Sequence, residues 1–231
     1  MTVSTAFAGF PREGLEFLEG LATENTREYF DVHRDTYQSA LLQPAKEFVV
    51  ALGEELRARV SPSMRAEPRI NGSILRINRD TRFSADKRPY KEHVDFWFWE
   101  GEGPSRERPG LFVRLRPATV TLGAGMHRFE PEALAAYRAA VADEATGRAL
   151  EQAIADAMSV RGATVGGLQY KRVPRGFDAD HPRAELLRHS ALYVSGDWKL
   201  PRSVSSPAFV GWTAEKLDRM APVERWLTAT L

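Results

Sequence analysis

The sequence predicts an α+β protein: a single domain with a mainly antiparallel sheet, N-terminal helices and further helices packed on one face. Two observations lead there. Apolar residues recur every three or four positions between Arg12 and Val60, and from about Arg69 the period changes to two. Helices and strands are thus segregated along the chain instead of alternating as βαβ units. The length, 231 residues, favours one domain over 1–231, with a helical segment at 11–60 and a sheet-centred remainder at 65–231.

Three helices account for the first segment. Leu15, Phe17, Leu18 and Leu21 share a helical face, Thr23 and Asn25 offer caps, and Tyr29, Phe30, His33, Tyr37 and Leu41 form a second run. Pro44 opens a third, through Phe48, Val49, Leu52, Leu56 and Val60, until Ser61-Pro62-Ser63 stops the pattern. Ile70 to Asn78, Lys91 to Glu100, Leu111 to Arg116 and Ala118 to Gly123 read as strands of an antiparallel meander. The loop E-G-E-G-P-S-R-E-R-P-G makes a long hairpin connection between the second and third. Helix returns at Pro131 to Val141 and at about Arg148 to Val160. A strand follows near Gly167 to Arg172, a short helix from Arg183 and a strand at Ala191 to Val194. A C-terminal helix from about Pro207 to Leu231 carries a break point at Pro222.

Composition excludes several classes. No apolar run approaches the roughly 20 residues that span a membrane, and the opening M-T-V-S-T-A-F-A-G-F lacks the basic and apolar regions of a secretory signal, which places the protein in the cytoplasm. Zero cysteines exclude disulfides, thiolate ligands and a cysteine nucleophile. The net charge of +1 hides an asymmetry. Met1 to Met64 carries six Lys/Arg against ten Asp/Glu, and Arg65 to Lys91 carries eight against three. Such a contrast marks either an anionic partner or internal complementarity.

The alternation of Lys91-Glu-His-Val-Asp-Phe-Trp-Phe-Trp99 puts Val94, Phe96 and Phe98 on a core face and His93, Asp95, Trp97 and Trp99 on the other. If the core faces of adjacent strands coincide, Arg114 and Arg116 join that second face, where Asp95 can pair with either arginine. The run R-I-N-R-D-T-R-F-S-A-D-K-R-P-Y-K, Arg76 to Lys91, leaves the sheet beside it. Such a cationic, aromatic-lined surface suits an anionic ligand with a flat part. The alternative is a brace, in which Asp80 and Asp86 neutralise Arg79, Arg82 or Lys87, and Tyr90 and Phe83 are satellite core.

A second cluster, K-R-V-P-R-G-F-D-A-D-H-P, repeats the chemistry with Lys171, Arg172, Arg175, Asp178, Asp180 and His181; Gly176 permits a left-handed backbone and Asp180 caps the helix after Pro182. The candidate site therefore has His93, Asp95 and His181 as catalytic groups. Arg76, Arg79, Arg82, Lys87, Lys91, Trp97, Arg114, Lys171, Arg172 and Arg175 are its ligand-binding groups. Histidine is the natural general acid or base among them. The five histidines show no metal-ligand spacing, so no metal is expected, and no cofactor is named. Gly123-Ala124-Gly125 lacks a dinucleotide fingerprint, and there is no phosphate loop or nucleophile elbow to single out Ser84, Ser195 or Ser203. Trp212 and Trp226 read as core.

Four stretches carry a likeness: N-T-R-E-Y-F-D-V-H-R-D-T-Y (Asn25 to Tyr37), Arg76 to Lys91, Lys171 to Pro182, and L-Y-V-S (Leu192 to Ser195). Through them the sequence resembles a family of bacterial and fungal conserved hypothetical proteins, domain of unknown function 2461. The family's usual N-N-R-E-W-F stands here as N-T-R-E-Y-F. The resemblance implies one full-length domain and brings no activity or catalytic residue with it. The functional expectation is a binding or enzymatic site for a small anionic, phosphate-bearing ligand. The alternatives are a nucleic-acid binding module, against which a pI of 8.0 argues, and a structural or interaction protein whose basic loops only brace the fold.

Overall fold

Proline at the first helical turn, a threonine cap and a π-helical turn shape the N-terminal helices in the computed structural model, which describes residues 6–103 and 105–231. Residues 1–5 and Pro104, on which parts of the readings of the chain's opening and of the Glu100–Gly110 connection fall, lie outside them. Helix α1 (Arg12–Thr23) starts straight after Pro11. Helix α2 (Arg27–Val32) is capped by Thr26, whose Oγ1 accepts the Tyr29 N–H at 3.1 Å. Thr23 and Asn25, expected as caps, have other partners: the Thr23 hydroxyl donates back to the Glu19 carbonyl, and Asn25 reaches Tyr90. After α3 (Arg34–Thr36) the chain winds through a π-helical turn, Tyr37–Leu42, into α4 (Gln43–Arg59). Pro44 has no N–H to return to the Ala40 carbonyl, and the Gln43 N–H bonds five residues back to Gln38. Gly14 lies against that Ala40 carbonyl, so close that a Cβ would stand 2.2 Å from its oxygen.

The remainder supplies β1 (Val94–Trp99), β2 (Gly110–Leu115), β3 (Thr119–Met126), α5 (Pro131–Ala142), α6 (Glu144–Met158), β4 (Ala163–Leu168), α7 (Ala184–Leu187), β5 (His189–Lys199) and α8 (Ala208–Thr230). The strands form one antiparallel sheet in the order β1-β2-β3-β5-β4, so the fold is α+β as the segregated periodicities predict. Among the described residues no helix is long and apolar enough to cross a membrane.

Five local expectations need correction. Ile70 to Asn78 is not a regular strand: Asn71 takes a positive φ in a turn, and the segment meets β1 only through a bridge at Ile74 and Phe96, flanked by Leu75 N–H to Asp95 O and Trp97 N–H to Ser73 O, each 2.9 Å. The strand sought at Gly167 to Arg172 lies earlier, at Ala163–Leu168. Gly167, just before its last residue, takes a φ of +106° at a break in the pairing with β5, where a Cβ would meet the Ala191 carbonyl oxygen at 2.0 Å. Helix α6 begins at Glu144, ahead of Arg148, because Asp143 Oδ1 accepts the N–H groups of Ala145 and Thr146. Pro222 does not break α8, which runs on to Thr230. Trp212 and Trp226 are only half-buried, the latter donating its indole N–H to the Thr146 carbonyl.

Two compact units divide the chain by contacts. The first takes in the described residues up to Phe98, with Phe112–Thr121 and Trp198–Glu215. Its core is an aromatic cluster: Phe48 lies 5.5 Å from Phe10, 5.1 Å from Phe96 and 5.4 Å from Phe209, between ring centroids. Leu18, Leu21, Leu52 and Leu56 are fully buried in the same unit. The second comprises Trp99–Leu111, Leu122–Asp197 and Lys216–Leu231. Buried Arg183 ties it together, donating to the Val141 and Asp143 carbonyls and pairing with Glu144 and Glu151. On α8 the carboxyl of Glu224 is fully buried; Oε1 accepts the Thr228 hydroxyl at 3.0 Å, and Oε2 has no hydrogen-bond partner among the described residues. Burial, helped by the charge of Glu100, pushes its pKa up to about 7 against the pull of Thr228 and Arg225.

Candidate functional site: a buried aspartate and its cations

The chain enters β1 from the basic run, and that entry is pinned on both sides. Arg79 N–H donates to the Pro89 carbonyl and Lys91 N–H to the Ile77 carbonyl, each 2.8 Å, which closes the run into a hairpin-like excursion. Asn25 holds its return. It accepts the Tyr90 N–H at 2.9 Å, and its amide donates to the Tyr90 and Leu21 carbonyls. The Tyr90 ring then stacks on Phe30 with centroids 4.5 Å apart. Tyr90 is core, as the bracing alternative has it, whereas Phe83 is 95% exposed at the far end and is not.

Asp95 is the centre of the arrangement that follows. It is only 7% exposed. Its Oδ1 accepts Arg114 Nε at 2.6 Å, and its Oδ2 accepts Lys91 Nζ at 3.0 Å and lies 3.3 Å from His93 Nε2. Burial works to raise the Asp95 pKa, but hydrogen bonds from His93 and Arg114 outweigh it and hold the carboxyl well below the usual carboxylate range. Alternation along two neighbouring strands thus brings Arg114 to Asp95. Arg116 goes elsewhere, to Thr121 Oγ1 at 2.8 Å. Trp97 is buried and stacked on Phe112, 6.1 Å between centroids and 13° between planes, so it offers a ligand little surface. The whole of β1 is buried on both faces.

His93 lines a cleft of about 230 Å³ with Arg79, Arg88, Tyr90, Lys91 and Glu92, all in the first unit. Arg79 and Arg88 share Asp86, and Arg88 also reaches Glu92. Arg82 closes on Asp80 through two hydrogen bonds that, with its backbone N–H, lower the Asp80 pKa to about 2. Lys87 donates to the Thr81 carbonyl. Arg76 is exposed and forms no ion pair among the described residues. Much of the cationic run is therefore answered by its own carboxylates. Arg88, Tyr90 and Glu92 were not singled out as ligand groups; the signal for Arg88 was its place two residues after Asp86 and four before Glu92, within reach of both.

The second basic loop belongs to the other unit. Gly176 takes a φ of +93°. Asp180 does not cap the helix after Pro182: Asp178 Oδ1 accepts the Asp180 N–H instead, and His181 Nδ1 accepts the Arg183 N–H at 3.0 Å. Lys171, Arg172 and Arg175 are exposed and form no ion pair among the described residues. No group of three or more His, Asp or Glu among the described residues is placed to hold a metal ion.

Fold and site together define an α+β protein whose antiparallel sheet presents, at the start of β1, one buried carboxylate surrounded by three cationic or imidazole side chains. Residues 13–226 match the family model described as Conserved hypothetical protein (DUF2461), and the chain belongs to that family. A comparison with curated proteins gives no match.

Proposed function

We propose that the cleft beside His93 binds a small anionic ligand through a phosphate or carboxylate group, and that His93 is its proton-transfer group. The observation that carries the reading is the contact between His93 Nε2 and Asp95 Oδ2 at the wall of a cleft also lined by Arg79, Arg88 and Lys91. A proton on Nε2, facing the carboxylate, leaves Nδ1 with its lone pair, the arrangement of an oriented base. Arg79 and Arg88 spend only part of their five N–H donors each on carboxylates, and Asp86 holds both guanidinium groups in fixed places. At about 230 Å³ the cleft is smaller than the ~300–1,000 Å³ of pockets that enclose whole ligands, so it suits a head group with the rest outside. His181, in the other unit, already accepts the Arg183 N–H through Nδ1 and has no part in this cleft.

Titration of the protein with inorganic phosphate, followed through the backbone amide resonances of residues 79–93, tests the proposal. Saturable shifts that disappear in Arg88→Ala and in His93→Ala support it. The pairing of Arg79, Arg82 and Arg88 with Asp80 and Asp86 favours the second reading, a brace. On that reading phosphate causes no saturable shift, and Arg79→Ala lowers the melting temperature.

A further inference from the structure

We infer that a surface of the second unit centred on Tyr170 binds single-stranded nucleic acid, independently of the cleft beside His93. Tyr170 is 42% exposed, and Arg138 covers one face of its ring with the guanidinium carbon 5.1 Å from the centroid. A partly exposed ring held by a cation is a stacking platform for a base. Its support is rigid. The Gln169 and Tyr170 N–H groups donate to the Arg188 carbonyl at 3.2 and 3.0 Å, and Arg188 Nε returns a bond to the Tyr170 carbonyl at 2.8 Å. Arg138 Nε donates to the Leu187 carbonyl at 3.3 Å.

Two cations are held at Tyr170, Arg138 on α5 and Arg188 just before β5, and three more, Lys171, Arg172 and Arg175, follow it in the loop. None forms an ion pair among the described residues, in contrast to Arg79, Arg82 and Arg88 of the first basic run. Arg138 and Arg188 each commit only Nε, to a carbonyl, which leaves their terminal nitrogens for phosphate oxygens. Cations spread over three segments suit repeated phosphates better than one. An exposed aromatic ring calls for an unstacked base, which a duplex does not offer and an acidic peptide does not possess. Strand β4, which leads into Tyr170, lies at the edge of the sheet, with Val165 and Leu168 exposed.

Fluorescence anisotropy of a labelled oligothymidylate and a labelled oligouridylate of about 12 nucleotides, with the full chain, tests the inference. Binding is expected at low salt, with log affinity falling against log salt at a slope of about −2 to −3.5 for three to five phosphate contacts. Tyr170→Leu should weaken it about 5- to 150-fold and Tyr170→Phe should keep it. The double variant Arg172→Ala, Arg175→Ala should flatten the slope by about 1.4. All three positions probed are exposed, so unchanged melting temperatures should accompany these losses. No binding at low salt, a Tyr170→Leu protein that binds as the wild type does, or a poly-glutamate peptide that binds as tightly as the oligonucleotide would each overturn it.

Discussion

Replacing Glu224 by glutamine should remove a pH dependence of stability that the wild-type protein carries between about pH 4.5 and pH 7. The folded state holds this carboxyl neutral, because burial raises its pKa to about 7 from an ordinary 4.5. Below pH 4.5 folded and unfolded chains are both protonated at this position and it contributes no slope. Between the two values the unfolded chain releases a proton that the folded chain retains, so stability falls as pH rises. Above about pH 7 both are ionised and the loss is complete. At about 1.4 kcal/mol per pH step the window amounts to roughly 3 kcal/mol, or about 6–12 °C of melting temperature for a chain of this size. Glutamine keeps the acceptor for the Thr228 hydroxyl and cannot ionise. Its own cost, a buried amide in place of a buried acid, is the same at every pH. Thermal unfolding followed by circular dichroism at pH 4.5, 6 and 8 should show the variant gaining on the wild type as pH rises. A difference between the two proteins that stays constant across that range would refute the reasoning and mean that Glu224 is ionised in the fold or is hydrated.

Asp95→Asn should destabilise the protein by about 2–3 kcal/mol at neutral pH, because it leaves Arg114, Lys91 and His93 around a neutral amide; Arg114 and Lys91 are partly in water, which keeps the cost toward the low end. It should also remove an acid-side loss: with its pKa depressed in the fold, Asp95 contributes stability above about pH 3.8 that is lost as pH falls through the lower folded value. Urea unfolding of both proteins from pH 2 to 7 reads both effects. Asn25→Ala should cost about 1–3 kcal/mol in the same assay, since the N–H and C=O of the buried Tyr90 lose their partner at once.

What was legible in the sequence follows from how far apart the cooperating residues are. The alternation of β1 and β2 puts Arg114 and Arg116 on the face of Asp95, because a period of two leaves only two choices, but it does not say which of them pairs with the carboxylate; Arg114 does. The same rule overstated Trp97: it assigns a side but says nothing of what covers that side, and Phe112 does. Asp80 and Asp86 were read as possible neutralisers because they lie within a few residues of the arginines they hold. Nothing local in the sequence links Arg138, Tyr170 and Arg188, because α5, the β4 exit and the start of β5 are distant in the chain. Asn25 stands beside a helix, where asparagine commonly caps, while its partner lies 65 residues on. Glu224 did leave a trace. It occupies a helical position shared with Leu217, Met220, Ala221 and Leu227, where an apolar residue is expected.

Strand β1 reads Val-Asp-Phe-Trp-Phe-Trp, and apart from its second residue either face would satisfy a hydrophobic interior. A slip by one position would exchange Phe96 and Phe98 for Trp97 and Trp99, a trade of aromatics that apolar burial alone penalises little. Asp95 removes the degeneracy, since the slipped strand would carry its carboxylate among phenyl rings and away from Arg114, at a cost of several kcal/mol. A single charge thus selects the pairing frame of an otherwise ambidextrous strand.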